Sequence, residues 1–178
     1  KSTDSIIDIR KDLLYLMQKN LIVVNLWLER KFKGYKYLSK GTRRKMYQNQ
    51  AKIVSKFQEF CEQNVFSNKQ IAQLIDKANL NFPNGDEDKL QYLAQIMHFL
   101  KPGNYYNYIK TASFGKLLSD PDKQKLEGDC NQIVTLYIYL FSLKFPVDEL
   151  KIKLLPEHVC LRFREIDIEA TNGTFQNY

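Results

Sequence analysis

Apolar residues recur at three- and four-residue spacing near the start of the chain, which is the pattern of an amphipathic helix. The pattern predicts a helix over residues 4–33, ended by Gly34. The residues expected to face the core are Ile6, Ile9, Leu13, Leu16 and Met17. The apolar run at 21–28 is far shorter than the roughly 20 residues that a membrane-spanning helix needs. We therefore expect a buried helical segment there.

Three further helices are predicted in the first hundred residues. One covers 43–64, with Ser39 or Thr42 as its N-cap, and a second covers 69–78, with Ser67 as its N-cap. The third covers 86–100, after the turn around Asn84-Gly85, and its inward residues are expected to be Leu90, Leu93, Ala94 and Met97.

The pattern changes after residue 127. Residues 130–143 predict a helix that is apolar on nearly every side and hence buried. Alternating residues then predict strands at 149–156, 158–163 and 166–171, the last two forming a hairpin. Helices followed by an antiparallel sheet indicate an α+β fold.

The predicted organisation is a helical region over residues 1–103 and a second unit over 104–178, or one continuous domain. The aromatic segment 104–122 is interpreted as a long irregular connection. A chain of 178 residues is long enough to bury a substantial core.

The amino-acid composition limits the kinds of functional site that the chain can form. Apolar residues make up 44% and charged residues 26%, which is ordinary for a globular protein. The three cysteines include no CxxC pair, and there are two histidines, so we predict neither a structural zinc site nor a bound cofactor. An odd cysteine count also predicts at least one free thiol. No signal peptide or transmembrane segment is evident, so we expect a soluble chain of undetermined compartment.

Positive charge is concentrated in one segment. The formal net charge is +7, and residues 29–56 carry ten Lys or Arg against a single acid, Glu29. Phe32, Tyr35, Tyr37 and Tyr47 are interleaved with them. Such a segment is typical either of a surface that binds nucleic acid or another anionic surface, or simply of a solvated helix face.

Cys130 stands where the buried helix begins, directly after Gly128-Asp129. The partial positive charge of a helix N-terminus favours a thiolate, and its unpaired N–H groups can stabilise an oxyanion. This placement suits nucleophilic attack on an acyl carbon, although a small buried cysteine fits the position equally well.

His158 opens the first strand of the predicted hairpin. If Arg164-Glu165 form the turn, Cys160 pairs with Glu169 and His158 with Thr171. His158, Cys160, Asp167, Glu169 and Thr171 then share one face of the sheet. A histidine placed between a thiol and a carboxylate is the arrangement of a catalytic triad. Glu169 is the nearer carboxylate in this register and Asp167 the alternative.

The segments GDCNQIVTLYIYLF, EHVCLRF and IDIEATNG together resemble the transglutaminase-like core, which is related to papain. The resemblance covers roughly residues 125–175 and is greatest to the bacterial branch found beside tetratricopeptide repeats. It implies a Cys-bearing helix packed on a small antiparallel sheet, with Cys130 as nucleophile and His158 as base.

The third residue implied by the resemblance is Glu169, because Glu169-Ala170-Thr171 matches the Asp-x-Thr pattern of the family. Glutamate in place of aspartate leaves Asp167 open as the alternative. The hairpin is also shorter than usual for the family. For the second oxyanion donor of the family, the candidates are Gln124, Tyr105, Tyr106 and Tyr108.

Three functions remain open on the sequence. The first is thiol-dependent acyl transfer to, or hydrolysis of, an amide, peptide or isopeptide bond, with a protein or peptide as substrate. The second is an inactive transglutaminase-like domain that binds a protein partner, and the third is a basic helical module for nucleic acid or an anionic surface. Cys61 and His98 lie on predicted helices and are expected to be structural.

Overall fold

The computed structural model describes residues 6–110 and 113–178, and its fold is α+β as predicted. The helices are α1 (Ile6–Phe32), α2 (Lys40–Gln63), α3 (Asn68–Asp76), α4 (Glu87–Phe99) and α5 (Cys130–Ser142). The strands are β1 (Tyr106–Tyr108), β2 (Leu126–Gly128), β3 (Lys151–Leu155), β4 (His158–Phe163), β5 (Ile166–Glu169) and β6 (Thr174–Gln176).

Helix α1 differs from its prediction in two ways. Its backbone leaves the helical region at Asn20 (φ −169°, ψ 95°), and the Asn20 side chain accepts a hydrogen bond from the N–H of Val23 at 3.1 Å. Before this break, Ile6, Ile9, Leu13 and Leu16 are exposed, contrary to expectation, whereas Met17 is partly buried against the core. Beyond it, Ile22 and Leu26 are fully buried but Val23, Trp27 and Leu28 are exposed, so the segment 21–28 is buried on one face only. The fully buried residues of the helix therefore lie in its second half, and residues 4 and 5 of the prediction lie outside the described residues.

Helices α2, α3 and α4 begin close to where the sequence predicts. The hydroxyl of Ser39 accepts from the N–H of Thr42 at 3.1 Å, and Ser67 forms a capping box with Gln70. These bonds satisfy N–H groups that have no partner inside a helix. The four residues expected to face inward on α4 are all buried, which confirms that prediction. Helix α4 follows Asp86, whose side chain makes no capping hydrogen bond.

Helix α5 lies at the centre of the fold. Most of its side chains are buried, which confirms the prediction from its apolar sequence. It contacts α1, α4 and β4, so its different sides face different elements. The buried apolar residues form one cluster that includes members from α1 to β6. None of the helices in residues 6–110 and 113–178 has the length and apolar character required to cross a bilayer.

One buried hydroxyl on α5 provides a stability prediction. The hydroxyl of Tyr137 is buried and has no hydrogen-bond partner among the described residues. Leaving such a group unpaired costs about 1–3 kcal/mol. We therefore expect Tyr137→Phe to raise the free energy of unfolding by about 1 kcal/mol in urea denaturation. Tyr106→Phe is the matched control, because its buried hydroxyl donates to Gly128 O at 2.7 Å, and this substitution should destabilise the fold. Equal loss of stability in both variants would contradict the assignment.

The larger sheet is an antiparallel meander in the order β3-β4-β5-β6. The predicted two-residue turn is present: Phe163 pairs with Ile166, and Arg164 adopts a positive φ of 53°. The predicted pairing of His158 with Thr171 is wrong. Strand β5 ends at Glu169, and His158 pairs with Leu155 of β3 instead.

Three strands were not predicted. The segment interpreted as an irregular connection contains β1, which pairs in parallel with β2 just before Cys130. Strand β6 extends the sheet beyond β5. Each of the three is only three residues long, too short for an alternating pattern to be recognised in the sequence.

Candidate functional site

Cys130 is the first residue of α5, as the sequence predicts, and is partly buried against the core. Its preceding residue, Asp129, forms a capping box with Gln132: the Gln132 side chain accepts from the N–H of Asp129 at 2.7 Å. Upstream, the hydroxyl of Tyr106 donates to Gly128 O at 2.7 Å. Both contacts fix the backbone that leads into the thiol.

The first turn of α5 has few free N–H groups. One carboxylate oxygen of Asp129 accepts from Asn131 N at 2.9 Å and Gln132 N at 3.3 Å, and the backbone oxygen of Asp129 accepts from Ile133 N at 3.0 Å. None of the turn and cap hydrogen bonds of the described residues uses the N–H of Cys130. It is therefore the first-turn donor that remains available to an oxyanion beside Sγ.

His158 and Glu169 are brought together by the sheet. Nε2 of His158 lies 2.6 Å from Oε2 of Glu169. An ionised carboxylate can only accept, so Nε2 carries the hydrogen and Nδ1 is the ring nitrogen left to act as a base. The imidazole is partly exposed, whereas the Glu169 side chain is only 5% exposed. The carboxylate thus fixes the ring from the protein side and leaves it accessible to solvent.

Glu169 is surrounded by hydrogen-bond donors. Its Oε1 accepts from Thr171 N at 3.1 Å and Thr171 Oγ1 at 2.6 Å, and its Oε2 accepts from the Tyr178 hydroxyl at 2.9 Å. Burial raises the pKa of Glu169, but the bonds from Thr171, His158 and Tyr178 outweigh burial and hold the pKa below its usual value. The group therefore stabilises the fold above its unfolded pKa of about 4.3, and this stabilisation is lost as the pH falls through the lower folded pKa.

Asp167, the alternative third residue, has other partners. Its Oδ2 accepts from Lys153 Nζ at 2.6 Å and from Tyr178 N at 3.0 Å, and its Oδ1 lies 3.7 Å from Arg162 Nη1. It is 1% exposed. The carboxylate of Asp167 therefore forms ion pairs with Lys153 and Arg162. Of the two acidic residues, Glu169 is the one hydrogen-bonded to His158.

Cys130 lies on the helix that packs against the His158 strand. Helix α5 contacts β4. No hydrogen bond joins Cys130 to His158 in the described part of the chain, and catalytic hydrogen bonds in substrate-free enzymes are often long.

The four candidates for a second oxyanion donor lie in different environments. Tyr106 is buried, and its hydroxyl is used by Gly128. Tyr105 stacks on Phe99 with ring centroids 4.5 Å apart, and Gln124 lies in an exposed turn. Tyr108 is half exposed and sits opposite Gly128 in the β1–β2 pair. Tyr108 is therefore the candidate that combines exposure with a position beside the Cys130 loop.

The other two thiols are poor nucleophiles. Cys160 is fully buried beside the site carboxylates, where burial and then the charges of Asp167 and Glu169 raise its pKa to about 11. Burial also raises the pKa of Cys61 to about 11. All three cysteines are free. The second histidine, His98, stacks on Phe60 with ring centroids 5.6 Å apart.

Two residues that hold the site were missed in the sequence. Lys153 neutralises Asp167, and Tyr178 contacts both acidic residues through its backbone and its hydroxyl. Lys153 stands two residues from Lys151 in the same alternating strand, and nothing in the local pattern distinguishes the two. The contacts of Tyr178 depend on β6, which the sequence did not predict.

No group of three or more His, Cys, Asp or Glu side chains within residues 6–110 and 113–178 is arranged to hold a metal ion. Comparison with known proteins found no matching family model, no matching curated protein and no matching solved structure. The interpretation of the site therefore rests on its own geometry and on the sequence pattern described above.

Proposed function

We propose that this protein catalyses thiol-dependent acyl transfer or hydrolysis of an amide, peptide or isopeptide bond. Cys130 is the nucleophile, His158 the base and Glu169 the residue that positions His158. The observation that carries the proposal is the 2.6 Å bond between His158 Nε2 and Glu169 Oε2, on the strand against which the Cys130 helix packs. In this proposal α5 and the β3–β6 sheet form a transglutaminase-like core.

The first half-reaction transfers the acyl group to Cys130. Nδ1 of His158 takes the thiol proton, and Sγ attacks the carbonyl carbon while the N–H of Cys130 faces the oxyanion. The tetrahedral intermediate collapses, the C–N bond breaks, and His158 returns the proton to the leaving amine. Glu169 stabilises the imidazolium that exists between these two proton transfers.

The second half-reaction releases the thioester. Water or a second amine gives its proton to Nδ1 and attacks the same carbonyl carbon. The C–S bond then breaks, and the thiolate recovers a proton from His158. Water yields a carboxylic acid and an amine yields a new amide, so hydrolysis and cross-linking share every residue named here.

The test is the pH dependence of Cys130 alkylation by iodoacetamide, read by peptide mass spectrometry. We expect the parent to react rapidly at pH 6, well below the value of about 8.5 at which an ordinary thiol titrates. His158→Ala should slow the reaction at pH 6 by about tenfold or more and leave it nearly unchanged at pH 9.

The chain supplies its own controls for this experiment. Cys61 and Cys160 are measured in the same digest and should remain slow at pH 6, because burial raises the pKa of both to about 11. His98→Ala removes the other histidine and should leave Cys130 unaffected. If Cys130 titrates like an ordinary thiol and is indifferent to His158, the catalytic proposal fails and a non-catalytic interaction domain becomes the better interpretation.

A further inference from the structure

A groove of about 520 Å³ lies between α1 and α2, on helices that contribute no residue to the proposed catalytic site. A second depression of about 380 Å³ shares Val23 and Tyr47 with it and reaches Asn20 and Gln50. We call these two neighbouring depressions together the α1–α2 groove. The residues that line its first part are Val23, Trp27, Arg30, Lys31, Arg43 and Tyr47.

The cations of this groove form no ion pair within the described residues. Of the ten Lys and Arg in residues 29–56, three form ion pairs: Lys33 with Glu29, and Lys52 and Lys56 with Asp120 or Asp122. Within the described ranges, Arg30, Lys31 and Arg43 have no carboxylate partner, and no acidic residue lines the groove.

The guanidinium of Arg43 is also fixed in position. Its Nη1 donates to Leu38 O at 2.6 Å. Because one edge of the guanidinium is held by the backbone, the donors on its other edge are preorganised for a ligand. A solvated helix face would explain the exposed lysines of residues 29–56. It would not explain a cation that is held in position at a concave surface.

An aromatic ring lies beside these cations. Trp27 is 56% exposed, and its indole is held edge-on by Phe32 with centroids 5.7 Å apart. Tyr47 lines the same part of the groove. Flat rings beside unpaired cations suit a ligand that alternates phosphates with aromatic bases.

We propose that the α1–α2 groove binds single-stranded nucleic acid. Phosphates contact Arg30, Lys31 and Arg43, and a base stacks on Trp27. The concave shape favours a strand over an anionic bilayer, because a bilayer contacts flat or convex surfaces and would not reach the floor of the groove. This site is separate from the proposed acyl-transfer site, so either proposal can fail without the other.

The chain contains a single tryptophan, Trp27, so intrinsic fluorescence reports directly on the groove. We expect a 12-nucleotide oligo(dT) or oligo(U) to quench this fluorescence in the full chain. Affinity should fall with salt, with a log–log slope of about −0.7 for each phosphate contacted. Absence of quenching by both oligonucleotides would overturn the proposal.

Variants locate the contact, with binding read by anisotropy of a labelled oligonucleotide. Trp27→Leu should weaken binding about tenfold through lost stacking. Arg43→Gln and Lys31→Gln should each reduce the salt slope by about 0.7. Arg44→Gln is the matched control, since Arg44 is exposed and does not line the groove.

Two outcomes contradict the assignment. If Arg44→Gln weakens binding as much as Arg43→Gln, the contact is with diffuse surface charge and not with the groove. If phosphatidylserine vesicles change the fluorescence of Trp27 and the oligonucleotides do not, the groove belongs to a lipid-binding surface.

Discussion

Glu169→Ala is expected to slow acylation of Cys130 by about 10²–10⁴-fold, the range over which general acid–base catalysis contributes. The substitution removes the acceptor of His158 Nε2, which lies at 2.6 Å, and frees the imidazole to rotate. The measurement is the release of nitrophenolate from an activated p-nitrophenyl ester, which requires the thiol and base but no knowledge of the natural substrate.

Glu169→Gln removes the negative charge of the side chain but keeps its length and one hydrogen-bond acceptor. An amide oxygen can still accept from Nε2, and cysteine proteases with a Cys-His-Asn arrangement operate with an amide. We therefore expect Glu169→Gln to retain more activity than Glu169→Ala and less than the parent. Hydrogen bonds outweigh burial and hold the pKa of Glu169 below its usual value, so the parent carboxylate stays ionised throughout the assay and the comparison with Gln isolates its charge.

Asp167→Asn is the control for this assignment. Asp167 is buried on the same sheet but contacts Lys153 and Arg162, not His158. Its substitution should reduce stability and leave acylation within about threefold of the parent, a change below 1 kcal/mol. If Asp167→Asn impairs acylation as strongly as Glu169→Ala, the assignment of Glu169 is wrong and the alternative carboxylate takes its place.

The positions of the helices and of the hairpin could be predicted because their signals are local. Ser67 is followed three residues later by Gln70, and this capping box marks the start of α3. Alternation from Val159 to Phe163 assigns residues to the two faces of β4. Val159, Leu161 and Phe163 are buried as expected, but Cys160 on the other face is buried as well. The turn at Arg164-Glu165 then sets the register of Glu169, and from this the sequence placed a carboxylate near His158.

The features that were missed depend on contacts between distant parts of the chain. Periodicity shows that the first half of α1 has an apolar face but not what covers it, and most of that face is exposed. Strands β1 and β2 are stabilised by pairing with each other across about 20 residues, and neither has an alternating pattern of its own. The contacts of Tyr178 could not be predicted for the same reason, because they depend on the pairing of β6 with β5.

Lys153→Met is expected to lower the free energy of unfolding by about 3 kcal/mol, because it leaves a buried charge without its closest partner. Nζ of Lys153 lies 2.6 Å from Oδ2 of Asp167, which is 1% exposed. Arg162, at 3.7 Å from the other oxygen, compensates only in part. Methionine keeps the length of the lysine stem, so urea denaturation of this variant measures the lost charge more than lost packing.

Lys151→Met is the matched control for Lys153→Met. Lys151 is exposed on the same strand and should change stability by no more than about 0.5 kcal/mol. Adding Asp167→Asn to Lys153→Met should recover part of the loss, since the buried charge is then removed together with its partner. Equal effects of the two lysine substitutions, or no recovery in the double variant, would show that the pair does not stabilise the sheet.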